Sequence, residues 1–165
     1  MQKHIDEQQS VDFYNSRHAI RTGGGILIFN REGGLLLVKP SYRNTWSWPS
    51  GGSDPDESPL TTAVRECREE LGVAMASLYP AFVNYIPSRP DGTMDTIHFV
   101  FTTDAVDSTF TKRLKLPKEE IEAAKFVPII QLSNYMKDYR VRAIKTYLSH
   151  KSSKGMLYLE DGRLV

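Results

Sequence analysis

The residues best able to do chemistry lie in one short stretch, Gly51-Gly52-Ser53-Asp54-Pro55-Asp56-Glu57-Ser58-Pro59-Leu60-Thr61-Thr62-Ala63-Val64-Arg65-Glu66-Cys67-Arg68-Glu69-Glu70-Leu71-Gly72-Val73. Ser58 can cap a helix, Pro59 suits its first position because that N–H is not needed, and Gly72 suits the left-handed turn that ends it. At about 100° per residue, Leu60, Ala63, Val64, Cys67 and Leu71 gather on one side, while Glu66, Glu69 and Glu70 share an arc of roughly 100° elsewhere. One face therefore packs and the other carries charge. Like charges at i,i+4 repel by a few tenths of a kcal/mol even on an exposed helix, and a divalent cation would turn that repulsion into binding. A solvated acidic face, balanced by Arg65 and Arg68, is the plainer alternative. Against it stands the preceding run Trp46-Ser47-Trp48-Pro49-Ser50-Gly51-Gly52, whose glycines let backbone groups approach the helix start where a Cβ would block them.

The spacing of Gly51, Glu57, Arg65-Glu66, Glu69-Glu70 and Gly72 resembles the signature of the Nudix hydrolases. Cys67 stands where an aliphatic residue is usual, Ser50 replaces the first of a common Gly-Gly pair, and Asp56 takes a place often held by glycine. None of these departures removes a carboxylate. The resemblance implies a Nudix-type α/β/α sandwich, a mixed sheet with two principal helices. It also implies a metal-dependent pyrophosphohydrolase that cleaves a phosphoanhydride in a nucleoside diphosphate linked to a further group, such as a nucleoside triphosphate or an ADP-ribose-like compound. The implied cofactor is Mg²⁺ or Mn²⁺, with Glu69 and Glu70 as ligands, the Gly51 carbonyl as a third oxygen, and Glu66 as a further ligand or the general base. Glu57 and Arg65 would hold the loop to the helix from outside the ligand shell. Glu120, in the charged run Lys118-Glu119-Glu120-Ile121-Glu122, takes a place where relatives often carry an extra carboxylate. Glu66, Arg65 and Glu120 are the residues expected to act in catalysis.

For substrate contacts, Lys39 at a strand end and Arg43 are placed to meet phosphate, and Tyr42 and Trp46 could stack on a base. Of Trp46 and Trp48, one is expected to face the site and the other to be buried. His18 and His98 are read as structural. Pro87 gives a slight tilt toward ADP-ribose cleavage. A rival reading is a Nudix-like module that senses a nucleotide without turning it over, although such modules often lose signature glutamates. An isoprenoid diphosphate isomerase would want a reactive cysteine outside the signature helix, and the sole cysteine, Cys67, lies inside it.

The 165 residues suit a single domain. With 21 Lys plus Arg against 20 Asp plus Glu, the net charge of +1 gives no bulk field that would draw a nucleic-acid duplex or an anionic membrane. A small nucleotide is the expected partner, a homodimer is open, and the location is expected to be cytoplasmic. Residues 1–16 are polar, read as a loosely ordered segment with no secretory signal. Ile26 to Phe29 and Leu35 to Lys39 flank a glycine-containing turn and read as paired or neighbouring strands. Ala81 to Ile86 and Thr96 to Thr102 read as a hairpin with a longer tip, and residues 125–129 as a short strand whose proline argues for an edge or a strand end. Apolar spacing from Leu132 predicts a second amphipathic helix to about His150. Lys151 to Gly155 reads as an exposed connection, and residues 156–165, with Asp161-Gly162 between apolar runs, as a terminal hairpin.

Overall fold

A computed structural model describes residues 7–107, 109–151 and 155–165, so most of the 151–155 connection lies outside the described residues. The chain orders as α1 (Glu7–Asn15), β1 (Arg21–Leu27), β2 (Leu35–Pro40), β3 (Ser50–Gly52), α2 (Pro59–Leu71), β4 (Tyr79–Ile86), β5 (Thr96–Thr102), β6 (Ile121–Val127), α3 (Asp138–Ser149), β7 (Leu157–Glu160) and β8 (Arg163–Leu164). A mixed sheet runs β3-β1-β5-β4-β7-β8, and β2 pairs with β6 in a separate antiparallel ribbon. The N-terminal stretch is helical over Glu7–Asn15 and buries none of its residues.

The apolar runs Ile26 to Phe29 and Leu35 to Val38 are buried on both faces, which is why they show no polar alternation. Ile26, Ile28, Leu36 and Val38 pack with Ala63, Cys67 and Leu71 of α2. Leu27, Phe29, Leu35 and Leu37 pack with Trp48, Phe82, Ile144 and Tyr147 on the α3 side. Helices thus cover both faces, as the α/β/α expectation requires. Residues 29 and 35 do meet across the expected turn, but β1 and β2 on either side of it part into different sheets.

The first strand begins earlier than its apolar residues suggest. Gly23, Gly24 and Gly25 lie inside β1, between β3 and β5. A sheet-interior glycine run has low strand propensity and is tolerated where another backbone must come close. A Cβ at Gly24 would collide with the Pro59 carbonyl and come within 2.7 Å of the Ala63 nitrogen. The glycine therefore sets how closely α2 sits on the sheet. Ser50–Gly52, read in sequence as loop, is in fact a short edge strand paired with these glycines.

Helix α2 starts and stops where its caps dictate. The Ser58 hydroxyl accepts from the Thr61 N–H at 3.2 Å, and Gly72, at φ 68°, donates to the Arg68 carbonyl at 2.8 Å. Its buried face is rotated from the sequence reading: Leu60 is exposed, whereas Thr62, Glu66 and Glu70 are buried beside Ala63, Cys67 and Leu71. The second helix is shorter than its periodicity implied. Residues Ile129–Asn134 form a 3₁₀ segment, and α3 begins only at Asp138. The Tyr135 carbonyl accepts from the Trp46 N–H at 3.0 Å, which ties that residue to the loop before β3. At the C-terminus the expected hairpin forms about Asp161 and Gly162, both with positive φ as a two-residue turn of type I′ needs. It also joins the main sheet, because β7 runs parallel to β4.

Gly24→Ala is expected to lower stability by about 2–4 kcal/mol, since backbone rather than a flexible side chain blocks the new methyl. Gly52→Ala, whose Cβ would meet nothing nearer than 4.0 Å, should change it by less than about 1 kcal/mol. Urea unfolding of both variants measures the difference.

Candidate active site

The acidic face of α2 meets the β3 backbone through an arginine. Arg65 donates from Nε to Glu57 Oε1 at 2.9 Å and from Nη2 to Glu57 Oε2 at 3.0 Å, a two-pronged pairing. Its Nη2 also reaches the Gly52 carbonyl at 3.0 Å, and Nη1 reaches Glu66 Oε1 and Glu69 Oε2, each at 2.8 Å. Glu57 accepts in addition from the Asp54 N–H and the Thr62 hydroxyl. The Arg65 guanidinium, followed by these N–H and O–H donors, holds the Glu57 carboxyl down to about 2, while the carboxylates raise Arg65 further above its ordinary range. Loop and helix are joined as the signature predicts.

The three signature glutamates of the helix occupy unlike environments. Glu70 is 3% exposed and its Oε2 accepts the Ser50 N–H at 3.0 Å. Burial pushes its carboxyl up to about 8, with the nearby charges of Glu66 and Glu120 adding to the rise. Glu66 is also buried, against the α-carbon of Gly51, where a Cβ would overlap its carboxylate. Its pKa is raised, first by desolvation and then by Glu69 and Glu120, against the pull of Arg65. Glu69 is the exposed member, turned toward Arg65. Glu120, immediately before β6, is held near this cluster because the Ser41 N–H donates to its carbonyl at 2.8 Å.

An open cavity of about 470 Å³ adjoins these carboxylates along β3. Tyr42 and Arg43 line it as the sequence reading proposed for substrate contacts, together with Gly51. Lys39 and Trp46 do not. Lys39 is ion-paired with Glu122, and Trp46 packs edge-on to Tyr135 with the Lys125 ammonium over its ring. Trp48 is buried at 2% exposure and Trp46 is half-buried. Strand alternation cannot separate residues two apart, which share a face; the bent path of 46–49 separates them instead.

The lining residues not named from sequence as substrate contacts include Arg21, His98, Tyr139 and Arg140. His98, expected to be structural, is buried on the cavity wall and driven down to about 3 by desolvation, then by Arg140, against a hydrogen bond with the Gly24 backbone. It is a neutral wall residue there. Arg140 carried no usable sequence signal, because the sequence reading begins the helix at Leu132. Arg140 lies in the first turn of α3, where the helix dipole disfavours a cation.

The donor chemistry fits a hard divalent cation. Carboxylate oxygens are its preferred ligands, and Glu66 and Glu70 are two buried carboxylates one helical turn apart, of which Glu66 is paired with Arg65. Among the described residues, no three such side chains are already gathered tightly enough to enclose an ion. Glu69 points to Arg65 instead.

Comparison with known proteins agrees with this geometry. The NUDIX domain family model matches residues 20–148. The chain belongs to the NUDIX family. An RNA pyrophosphohydrolase of Hydrogenovibrio crunogenus is 40% identical over 53 residues, covering 32% of each chain. One of Bartonella bacilliformis is 40% identical over 67 residues, covering 35% of this chain and 39% of the relative. The matches thus span about a third of the curated relatives' length. This NUDIX fold superposes on a MutT protein of Methanosarcina mazei Go1 with a TM-score of 0.65 at 21% identity, covering 83% and 99% of the two chains. For the NUDIX domain of Shewanella oneidensis NrtR, complexed with ADP ribose, the values are 0.66 and 15%, over 90% and 99%.

The raised Glu70 pKa sets the pH response of metal-free protein. The folded carboxyl titrates near 8 rather than its ordinary 4.5, so between those values the folded state keeps a proton that the unfolded chain has released. Glu70 therefore makes stability in EDTA fall as pH rises from about 5 to 8, by on the order of a few kcal/mol; His98 opposes this up to its ordinary 6.5, so the net fall is expected between about 6.5 and 8. Glu70→Gln should flatten that slope. Urea midpoints at several pH values measure it, and an unchanged slope in the variant would assign the titration elsewhere.

Proposed function

We propose that this NUDIX domain is a metal-dependent pyrophosphohydrolase acting on a small nucleotide, with water as nucleophile. The observation that carries the reading is the pair of buried glutamates, Glu66 and Glu70, held against the β3 backbone, whose residues Ser50, Gly51 and Gly52 line a cavity large enough for a nucleotide. Two desolvated carboxylates oppose folding unless a cation offsets them. Their retention beside the cavity favours a site that binds one.

In this reading Glu66, Glu69 and Glu70 hold Mg²⁺ or Mn²⁺, with the Gly51 carbonyl as a further oxygen. When bound, the ion neutralises the diphosphate and lowers the pKa of a coordinated water. Arg65 fixes the rotamers of Glu66 and Glu69 and ties both to Glu57, so that the ligands arrive oriented rather than free. Glu120, whose charge bears on both Glu66 and Glu70, accepts the proton from the attacking water or adds a ligand oxygen. Tyr42 offers an exposed aromatic face to the cavity for a base. Similarity to RNA pyrophosphohydrolases supports a pyrophosphate bond in an RNA as one candidate, and similarity to the NrtR domain complexed with ADP ribose supports an ADP-ribose-like compound as another.

The direct test is a panel of nucleoside triphosphates, 5′-triphosphorylated RNA oligonucleotides and ADP-ribose, incubated with Mg²⁺ or Mn²⁺ and assayed for released phosphate, pyrophosphate or monophosphate. Turnover is expected on at least one class, and Glu70→Gln should reduce it on the order of 100-fold or more. Binding without product on every member would instead identify a nucleotide-sensing module.

Glu120→Gln is expected to lower kcat about 10–100-fold at saturating Mg²⁺, while Glu119→Gln leaves it within about twofold. Glu122 is a poorer control than its exposure suggests, because it pairs with Lys39. Equal, small effects of the Glu119 and Glu120 substitutions would remove Glu120 from the site.

A further inference from the structure

The cavity is one-sided in charge. Three arginines line it, Arg21, Arg43 and Arg140, and no carboxylate does, although the acidic cluster lies just beyond β3. Arg43 and Arg140 also line a smaller space of about 150 Å³ beside it, again without an acid. Among the described residues neither guanidinium forms an ion pair, whereas Arg65, Arg89, Arg142 and Arg163 all do.

The two are built into place rather than left loose. Arg140 lies with its guanidinium carbon 4.6 Å from the centre of the buried Trp48 ring, and its Nε contacts the Tyr139 hydroxyl at 3.4 Å. Arg43 donates to the buried Ser47 hydroxyl at 2.9 Å. Each also keeps a buried N–H with no partner, Nε of Arg43 and Nη1 of Arg140; the indole N–H of Trp48 is a third such donor in the same group. The cations repel one another, and burial together with Arg140 lowers the pKa of Arg43. Holding two half-buried like charges together costs stability unless an anion joins them. A planar guanidinium suits phosphate oxygens in particular.

We propose that Arg43 and Arg140 form an anion subsite for a substrate phosphate additional to the two that flank the cleaved bond. The proposal rests on the hydrolase reading above and narrows it: nucleotides with three or more phosphates are preferred over those with two. Arg140 reaches this position from the first turn of α3 and Arg43 from the loop after β2, so the subsite joins two segments remote in the chain on the cavity wall.

Inorganic tripolyphosphate titrated calorimetrically into protein in EDTA tests the subsite apart from catalysis. The intact protein should bind it, and Arg140→Met, which keeps an apolar stem over Trp48, should bind about 10–100-fold more weakly. Arg43→Gln should weaken it similarly and serves if the first variant does not fold. Absence of binding to the intact protein, or undiminished binding by a folded variant, overturns the proposal. With Mg²⁺ present, Arg140→Met should raise KM for a nucleoside triphosphate while leaving that for ADP-ribose within about twofold; equal increases would also overturn it. If no compound is turned over yet tripolyphosphate binding depends on both arginines, the hydrolase reading fails and the subsite stands.

Discussion

Arg65 is the constraint on which the site depends. Its guanidinium joins Glu57 from the loop, the Gly52 carbonyl from β3, and Glu66 and Glu69 from its own helix. Without that cation the acidic residues would repel, and the loop between β3 and α2 would have little to fix it. The planar fork supplies several donors in set directions, which a lysine could not reproduce. The charge thereby stabilises a local fold and orients the carboxylates at once.

The glycines of β1 and β3 supply the complementary steric condition. Gly24 lets α2 settle against the sheet, and Gly51 lets the Glu66 carboxylate lie against the β3 backbone. Close packing desolvates Glu66 and Glu70, and desolvation raises their affinity for protons or cations. A structural economy of small residues in the sheet thus becomes an electrostatic property of the site. On the cavity wall the charge is of the other sign, with Arg43 and Arg140 among aromatic and hydroxyl-bearing residues. An acidic cluster behind β3 and a basic cavity wall suit a ligand that carries several phosphates and approaches with a cation.

Much of this could be read from the chain before any fold was known. The caps Ser58 and Gly72, the join between Glu57 and Arg65, the strand pair β4–β5 and the Asp161-Gly162 hairpin are local, and each joins segments that are neighbours in the sequence. The central strand was harder. Propensity follows side chains, and Gly23 to Gly25 have none, so the start of β1 was hidden although its glycines matter most for packing. The second helix was overextended for a related reason: apolar spacing continued through 132–137, but a hydrogen bond from distant Trp46 captured the Tyr135 carbonyl.

The sequence by itself determined the family, the helix that carries the acidic residues, and which side chains are charged. Tertiary structure decided which of those charges are buried, and with what neighbours. Glu66 and Glu70 face inward while Glu69 faces out, a difference set by the angle at which α2 meets the sheet rather than by residue type. Lys39 and Arg43 looked alike as phosphate contacts, yet one is paired across a strand with Glu122 and the other opens on the cavity. Arg140 stands nearly a hundred residues from Arg43 in the chain. Only the packing of α3 against the sheet and loop brings their guanidiniums to one wall, and no local pattern encodes a contact made at that separation.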